Sequence, residues 1–271
     1  MERLLKDRFC MTFETIRTST VRKNLKYVVQ LLDSDEEEDE EEDEEEDEEE
    51  DADEATLMEL VETVQAQRSQ FQREDRAIVF CPSKALTVKV AERLGSRVHY
   101  YHAALSALAK KVKYNAWVDG DVDVMVATSG FGAGIDCPTI RLVAHFSVSY
   151  GLLDYIQETG RAGRDGKLAL CITFAAKSVV EHLSNVEDST DEGSKQRAEL
   201  AMSFITPGCL RQKLHSYVDG GADVTNCFGY NAQLCFVCEQ ALTEVNTSST
   251  ERKLPIALDM MHSLWISIKR R

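Results

Sequence analysis

Short runs rich in β-branched and aromatic residues recur along the middle of this chain, at Ala77–Cys81, Arg97–Tyr101, Val122–Ala127, Arg141–Phe146 and Ala169–Phe174. Helix-compatible stretches such as Lys84–Leu94 and Ser106–Val118 lie between most of them. A strand that is apolar on consecutive residues is buried on both faces. Strand, helix, strand at this spacing is met by a parallel sheet covered by helices on both sides, since each parallel crossover needs a long connection. Arg22–Leu31 adds a further strand, and Leu57, Leu60, Val61 and Val64 recur at helical spacing, so Ala55–Phe71 reads as an amphipathic helix. The expected class is α/β.

Charge divides the chain sharply. Asp33 to Glu54 holds 20 of the 47 acidic residues and no Lys or Arg, so 27 acids face 31 bases elsewhere. The net charge of −16 therefore belongs to one segment, and the remainder is about +4. A block of like charge repels itself and buries nothing, so 33–54 is expected to be a disordered insertion in the first domain. Its plain role is a solvated loop; the other is a contact for basic proteins. The mildly basic remainder suits a phosphate-backbone partner.

No apolar run is long enough to cross a bilayer, and Met1-Glu2-Arg3-Leu4-Leu5-Lys6 lacks a signal-peptide core, so no membrane partner is expected. In a reducing compartment the eight cysteines point to metal before disulfides. Three regions are expected: a sheet domain over 1–180, a small helical, cysteine-bearing subdomain over 181–240, and a tail over 241–271.

The strongest chemical signal is Gln157-Glu158-Thr159-Gly160-Arg161-Ala162-Gly163-Arg164-Asp165-Gly166. Arg161 and Arg164, three apart on a helix starting near Leu152, would present two guanidiniums on one face. The glycines would end the helix and permit close backbone approach. A planar, permanently charged fork suits a transferring phosphate. Two salt-bridged surface arginines would be the plainer reading without the ten-residue context.

This decapeptide resembles motif VI of superfamily-2 helicases in its RecQ form. The resemblance continues in order. Arg22-Lys23-Asn24-Leu25-Lys26-Tyr27 resembles the strand that opens the second RecA-like lobe, and Ile78-Val79-Phe80-Cys81-Pro82-Ser83-Lys84 resembles motif IV. Tyr101-His102-Ala103-Ala104-Leu105 resembles the following Tyr-His-Ala-Gly-Leu element, with Ala104 in place of the glycine. Ala127-Thr128-Ser129-Gly130-Phe131-Gly132-Ala133-Gly134-Ile135-Asp136 resembles motif V, with Ser129 and the neighbouring Cys137 as unusual residues. Together these cover about Arg17 to Gln240.

The resemblance implies a RecA-like lobe of an ATP-dependent 3′–5′ DNA helicase acting in the nucleus in DNA repair and recombination. It implies catalytic roles for Arg161, Arg164 and Gln157, and ATP contacts from Gly134, Asp136, Arg161 and Arg164. DNA-backbone contacts fall to Ser83, Lys84, His102 and Thr128. For Thr128 a strand-end cap is the competing reading, and for His102 a merely structural histidine.

Cys209, Cys227, Cys235 and Cys238 form a second constellation, and the Cys-x-x-Cys pair has the spacing of thiolates sharing a tetrahedral zinc. RecQ helicases carry a four-cysteine zinc module after motif VI, although seven residues between Cys227 and Cys235 exceed the family's usual spacing. Four reduced thiols without metal are the alternative. Cys81 and Cys171 fall on strands and are expected in the core.

No Gly-x-x-x-x-Gly-Lys-[Ser/Thr] loop and no Asp-Glu-x-His strand occurs, so the groups that hold ATP phosphates and Mg²⁺ are expected on a first lobe supplied in cis or trans. The rival class is a non-catalytic, zinc-stabilised DNA-binding or scaffold remnant of a helicase.

Overall fold

The computed structural model describes residues 19–33, 54–131, 135–184, 192–219 and 224–249. The acidic residues 34–53, Gly132 and Gly134 of the motif V segment, and the tail from 250 onward lie outside the described residues.

Six strands form one sheet: β1 (Leu25–Leu32), β2 (Arg76–Phe80), β3 (Val98–Tyr101), β4 (Val124–Ala127), β5 (Ile140–Phe146) and β6 (Ala169–Ala176). Their order is β1-β6-β5-β2-β4-β3 and every neighbouring pair is parallel. Parallel pairing throughout puts all strand ends of one kind on one edge. The helices are α1 (Glu54–Arg68), α2 (Lys84–Leu94), α3 (Ala107–Asp119), α4 (Leu152–Thr159), α5 (Lys177–Ser184), α6 (Glu192–Ile205), α7 (Leu210–Asp219) and α8 (Phe236–Ser249). This is the RecA-like parallel sheet expected from the sequence.

Alternate residues of the central strands enter opposite cores. Ala77, Val79, Val124, Val126, Leu142 and Ala144 pack with Leu57, Leu60 and Val64 of α1 and Leu86, Val90 and Leu94 of α2. Ile78, Phe80, Met125 and Val143 pack on the other face, in a cluster that takes in Trp117 of α3, Tyr155 of α4 and Phe204 of α6 and runs on to the four cysteines. β2 is buried along its whole length, which is why Ala77–Phe80 are apolar without alternation. Each such Val, Ile or Phe side chain stabilises the fold by about 1.5–3 kcal/mol.

Candidate functional site

At the C-terminal edge of the sheet the backbone N–H of Thr128 donates to Tyr101 O at 3.3 Å, joining the ends of β4 and β3. Ser83 caps α2, its hydroxyl accepting from Leu86 N at 3.1 Å, so this oxygen is engaged within the fold. Lys84 is exposed in the first turn of α2, where the unbonded N–H groups of the helix start also favour anions. His102 stacks on Tyr100, with ring centroids 5.7 Å apart and planes 10° from parallel. Burial first, then the charges of Lys84, Lys113 and Lys110, lowers the His102 pKa from its ordinary 6.5. Ala104 needs no glycine, because it is not among the residues with positive φ.

The motif VI segment lies at the opposite edge. α4 stops at Thr159, and Gly160 to Gly166 form successive turns beside the start of β5, with Gly163 N donating to Ile140 O at 2.8 Å. Arg161 and Arg164 therefore stand in turns after the helix, not on its face as their spacing suggested. The helix is stopped by the backbone's engagement with neighbours. Arg22 donates to the carbonyls of Gly160, Ala162 and Gly163, and the Asn24 amide to those of Gly163 and Lys167. Gly163 has φ +54, and a Cβ there would meet Asn24 Nδ2 at 2.5 Å and Lys167 O at 2.7 Å, so only glycine fits. Arg141 pairs with Asp75 at 2.9 Å and grips both oxygens of Asp165, pinning the far side of the turn to β5.

Within this turn Arg164 donates to Asp136 Oδ1 at 3.0 Å and to Ile135 O at 3.1 Å. Two residues assigned to the nucleotide thus meet, and the Asp136 carboxylate stays largely exposed. Arg161 is half-buried; burial first, then the Arg164 charge, lowers its pKa, with Glu158 opposing. Gln157 is exposed on α4. Of the motif V segment Ala127–Asp136, Thr128 lies at one edge of the sheet and Asp136 at the other, and Phe131 is buried.

Sequence reasoning missed a buried hydrogen-bonded group behind α4. Glu158 Oε2 accepts from the Ser149 hydroxyl at 2.8 Å and lies 2.9 Å from His145 Nε2, with His145 only 2% and Glu158 4% exposed. The imidazole packs between the rings of Phe80 and Tyr155. Glu158 falls three residues after buried Tyr155, and that helical spacing already placed it on the inner face.

The four cysteines converge. Cys209, Cys227, Cys235 and Cys238 are all buried, and their Sγ atoms lie within 4.8 Å of one another. Cys209 Sγ is 3.5 Å from Cys227 Sγ and 3.8 Å from Cys235 Sγ. Four thiolates at about 2.3 Å from a tetrahedral zinc would be about 3.8 Å apart, so the donor set fits that ion. The long Cys227–Cys235 span does not spread the ligands, because it folds back on itself. Asn231 N donates to Phe228 O and Ala232 N to Cys227 O, and Asn231 adopts the left-handed φ of 50° that asparagine tolerates. Cys235 N donates to Cys227 Sγ at 3.3 Å. Hydrogen bonding with Cys209 lowers the Cys227 pKa.

Residues 54–166 match the family model described as the helicase conserved C-terminal domain. The putative ATP-dependent DNA helicase Q1 of Caenorhabditis briggsae is 31% identical over 178 residues, 64% of this chain and 28% of that protein. The ATP-dependent DNA helicase hus2/rqh1 of Schizosaccharomyces pombe is 30% identical over 204 residues, 70% of this chain and 15% of that protein. This chain belongs to the RecQ-like helicases. The ATP-dependent helicase SGS1 of Saccharomyces cerevisiae, 29% identical over 199 residues, covers 69% of the RecQ-like chain, which spans 13% of it. The RecQ-like chain thus covers between 13% and 28% of the length of these three relatives. Among solved structures, S. cerevisiae Dbp5 bound to RNA and ADP BeF3 aligns with a TM-score of 0.45 at 17% identity, over 68% of the RecQ-like chain and 40% of that one. Among the described residues no helix is long and apolar enough to cross a membrane.

Proposed function

We propose that this chain is the second motor lobe of a nuclear, ATP-dependent 3′–5′ DNA helicase, followed by a zinc-binding helical module over about 181–240. The reading is carried by one observation: the Arg161–Arg164 turn and Thr128 lie at opposite edges of the same parallel sheet, and Asp136 of the motif V segment meets Arg164 at the arginine edge. Arg161 and Arg164 would stabilise charge on a phosphate held by a first lobe, which also supplies the Mg²⁺ ligands. Asp136, paired with Arg164 and largely exposed, would orient that arginine and reach a ribose, and Gln157, exposed on α4, would serve the same phosphate. Thr128, Ser83, Lys84 and His102 would hold DNA phosphates, positioning the strand without reading its sequence. For Ser83 the donor is the helix start that it caps.

Cys209, Cys227, Cys235 and Cys238 would hold one zinc ion, whose contribution is structural: it fixes α7 and α8 against the lobe. The test is a fusion of this chain to a RecQ first lobe from the same genome. DNA-stimulated ATP hydrolysis and unwinding should appear in the fusion and vanish in its Arg161→Ala/Arg164→Ala variant. A fusion that binds DNA and ATP but never turns over would instead mark this lobe as a non-catalytic remnant.

A further inference from the structure

The cations of the described residues differ in their partners, some held by carboxylates and others, such as Arg22 and Arg211, by main-chain carbonyls. Arg68, Lys89, Arg93, Arg97 and Arg141 each face a carboxylate within ion-pair distance. Lys84, Lys110, Lys111 and Lys113 do not: among the described residues none of them forms an ion pair. Three of these converge on one point, since the charges of Lys84, Lys113 and Lys110 all bear on His102, beyond the end of β3.

The cluster is built, not incidental. Lys113 Nζ sits 3.8 Å from the centroid of the Tyr100 ring, and Tyr100 stacks on His102. Lys110 Nζ donates to Ala103 O at 2.8 Å, which brings a second ammonium to the same loop. Spaced three apart, Lys110 and Lys113 share a face of α3, about 5–6 Å from one another. Tyr100 is engaged by both His102 and Lys113, so this ring serves the cluster itself, and the half-buried ammoniums of Lys110 and Lys113 are held in place beside it. Like charges brought together without counter-ions repel, and a polyanion relieves that repulsion.

We propose that Lys110 and Lys113 of α3 extend the Lys84–His102–Thr128 edge into a track that holds successive phosphates of single-stranded DNA. The proposal rests on the reading of that edge as a DNA contact and adds two residues that lie outside the motif-like segments at 78–84, 101–105 and 127–136. A polynucleotide is favoured over an acidic peptide because the track continues into the Thr128 edge and the α2 helix start, where N–H and O–H donors suit phosphate oxygens at fixed intervals.

Binding of a labelled oligothymidylate to the full-length chain, followed by fluorescence anisotropy across a salt series, tests this. Each single-strand phosphate contact contributes about 0.7 to the slope of log affinity against log salt. Lys110→Ala/Lys113→Ala should therefore lower that slope by about 1.4, so that its affinity deficit shrinks about sevenfold between about 50 and 200 mM salt. Lys110→Arg/Lys113→Arg should retain the slope, and circular dichroism should match wild type for both. If Lys84→Ala and Thr128→Val weaken binding while the α3 double variant leaves slope and affinity unchanged, the track is wrong and the edge stands. If the wild-type chain binds no oligothymidylate even at the lowest salt, the underlying reading falls with it. Displacement by polyglutamate as effective as by unlabelled oligothymidylate of equal charge would overturn the choice of partner.

Discussion

Arg211 lies fully inside the protein and donates to the main-chain carbonyl of Arg22 at 2.6 Å, and Arg22 in turn holds the carbonyls of the turn that carries Arg161 and Arg164. The same buried guanidinium donates to Leu25 O and to Gln233 O, two residues before Cys235, and lies over the Tyr27 ring. One side chain thus joins the start of the sheet, the cysteine cluster and the arginine turn. Replacing it by Met leaves three carbonyls short of a donor, each worth about 1–3 kcal/mol when buried. Arg211→Met should lower stability by about 3 kcal/mol or more in urea unfolding, and hydrogen exchange should quicken at the amides of 160–166.

The cysteine cluster should carry zinc close to one ion per chain when the protein is purified without chelator. Cys235→Ser should lose it and destabilise α7 and α8 by several kcal/mol. Cys171→Ala, a change in the core on β6 itself, should leave metal content untouched. Elemental analysis of the three proteins decides; zinc unchanged in Cys235→Ser would overturn the assignment.

Steady-state ATPase assays of the isolated chain with single-stranded DNA should detect no turnover. In the two-lobe fusion Arg164→Ala should slow hydrolysis by about 10³-fold, in the range of other arginine fingers. Asp136→Asn, which weakens the charge pairing that aims Arg164, should cost less, with ATP binding nearly unchanged in both. Turnover by the isolated chain that disappears in Arg164→Ala would mean a complete site resides here.

His215 titrates against the fold. Burial first, then the Arg211 charge, lowers its pKa from 6.5 to about 4, and Thr20 Oγ1 lies 2.9 Å from its Nδ1. The unfolded chain therefore binds a proton that the folded one refuses, so stability is lost as pH falls from about 6.5 towards 4 and levels off below. The loss should approach about 2–3 kcal/mol, and His215→Gln should flatten it. Urea midpoints of both proteins, compared near neutral pH and near pH 5, isolate the effect from any shared loss of metal; parallel curves would refute it.

Removing residues 34–53 and joining Asp33 to Glu54 through a short glycine linker should leave the melting temperature within about 0.5 kcal/mol equivalent of wild type. The pairs at either end, Asp33 with Lys177 and Glu54 with Arg93, are kept. Binding of oligothymidylate should tighten at low salt and converge with wild type at high salt, because 18 negative charges are gone.

The strands and the helices between them were legible to within a few residues, since burial on both faces leaves an apolar run that polar positions do not interrupt. Ser83 was expected at a phosphate edge and Ser106 at a helix boundary; both cap their helices, and the capping of α2 by Ser83 shows why a hydroxyl at a helix start often serves its own backbone. The arginines were misplaced onto the helix because their spacing is helical; the glycines that end α4 weighed less in that reading than their contacts with Arg22 and Asn24 warrant. Arg211, His145 and Glu158 escaped notice for a common reason. A polar residue among apolar neighbours carries no local sign of the distant carbonyl or carboxylate that makes its burial affordable.

The sheet that separates the two sets of residues also couples them mechanically. β5 spans seven residues, so about 23 Å of stiff strand lies between the Arg164 end and the edge that holds Lys84 and Thr128. A tilt of about 10° pivoting at the arginines would swing the far edge by about 4 Å, close to the ~3.4 Å that separates neighbouring charges along one strand of a duplex. In a lobe that works as proposed, strand length would set the throw of such a tilt, and a change of one or two residues in that length would alter it.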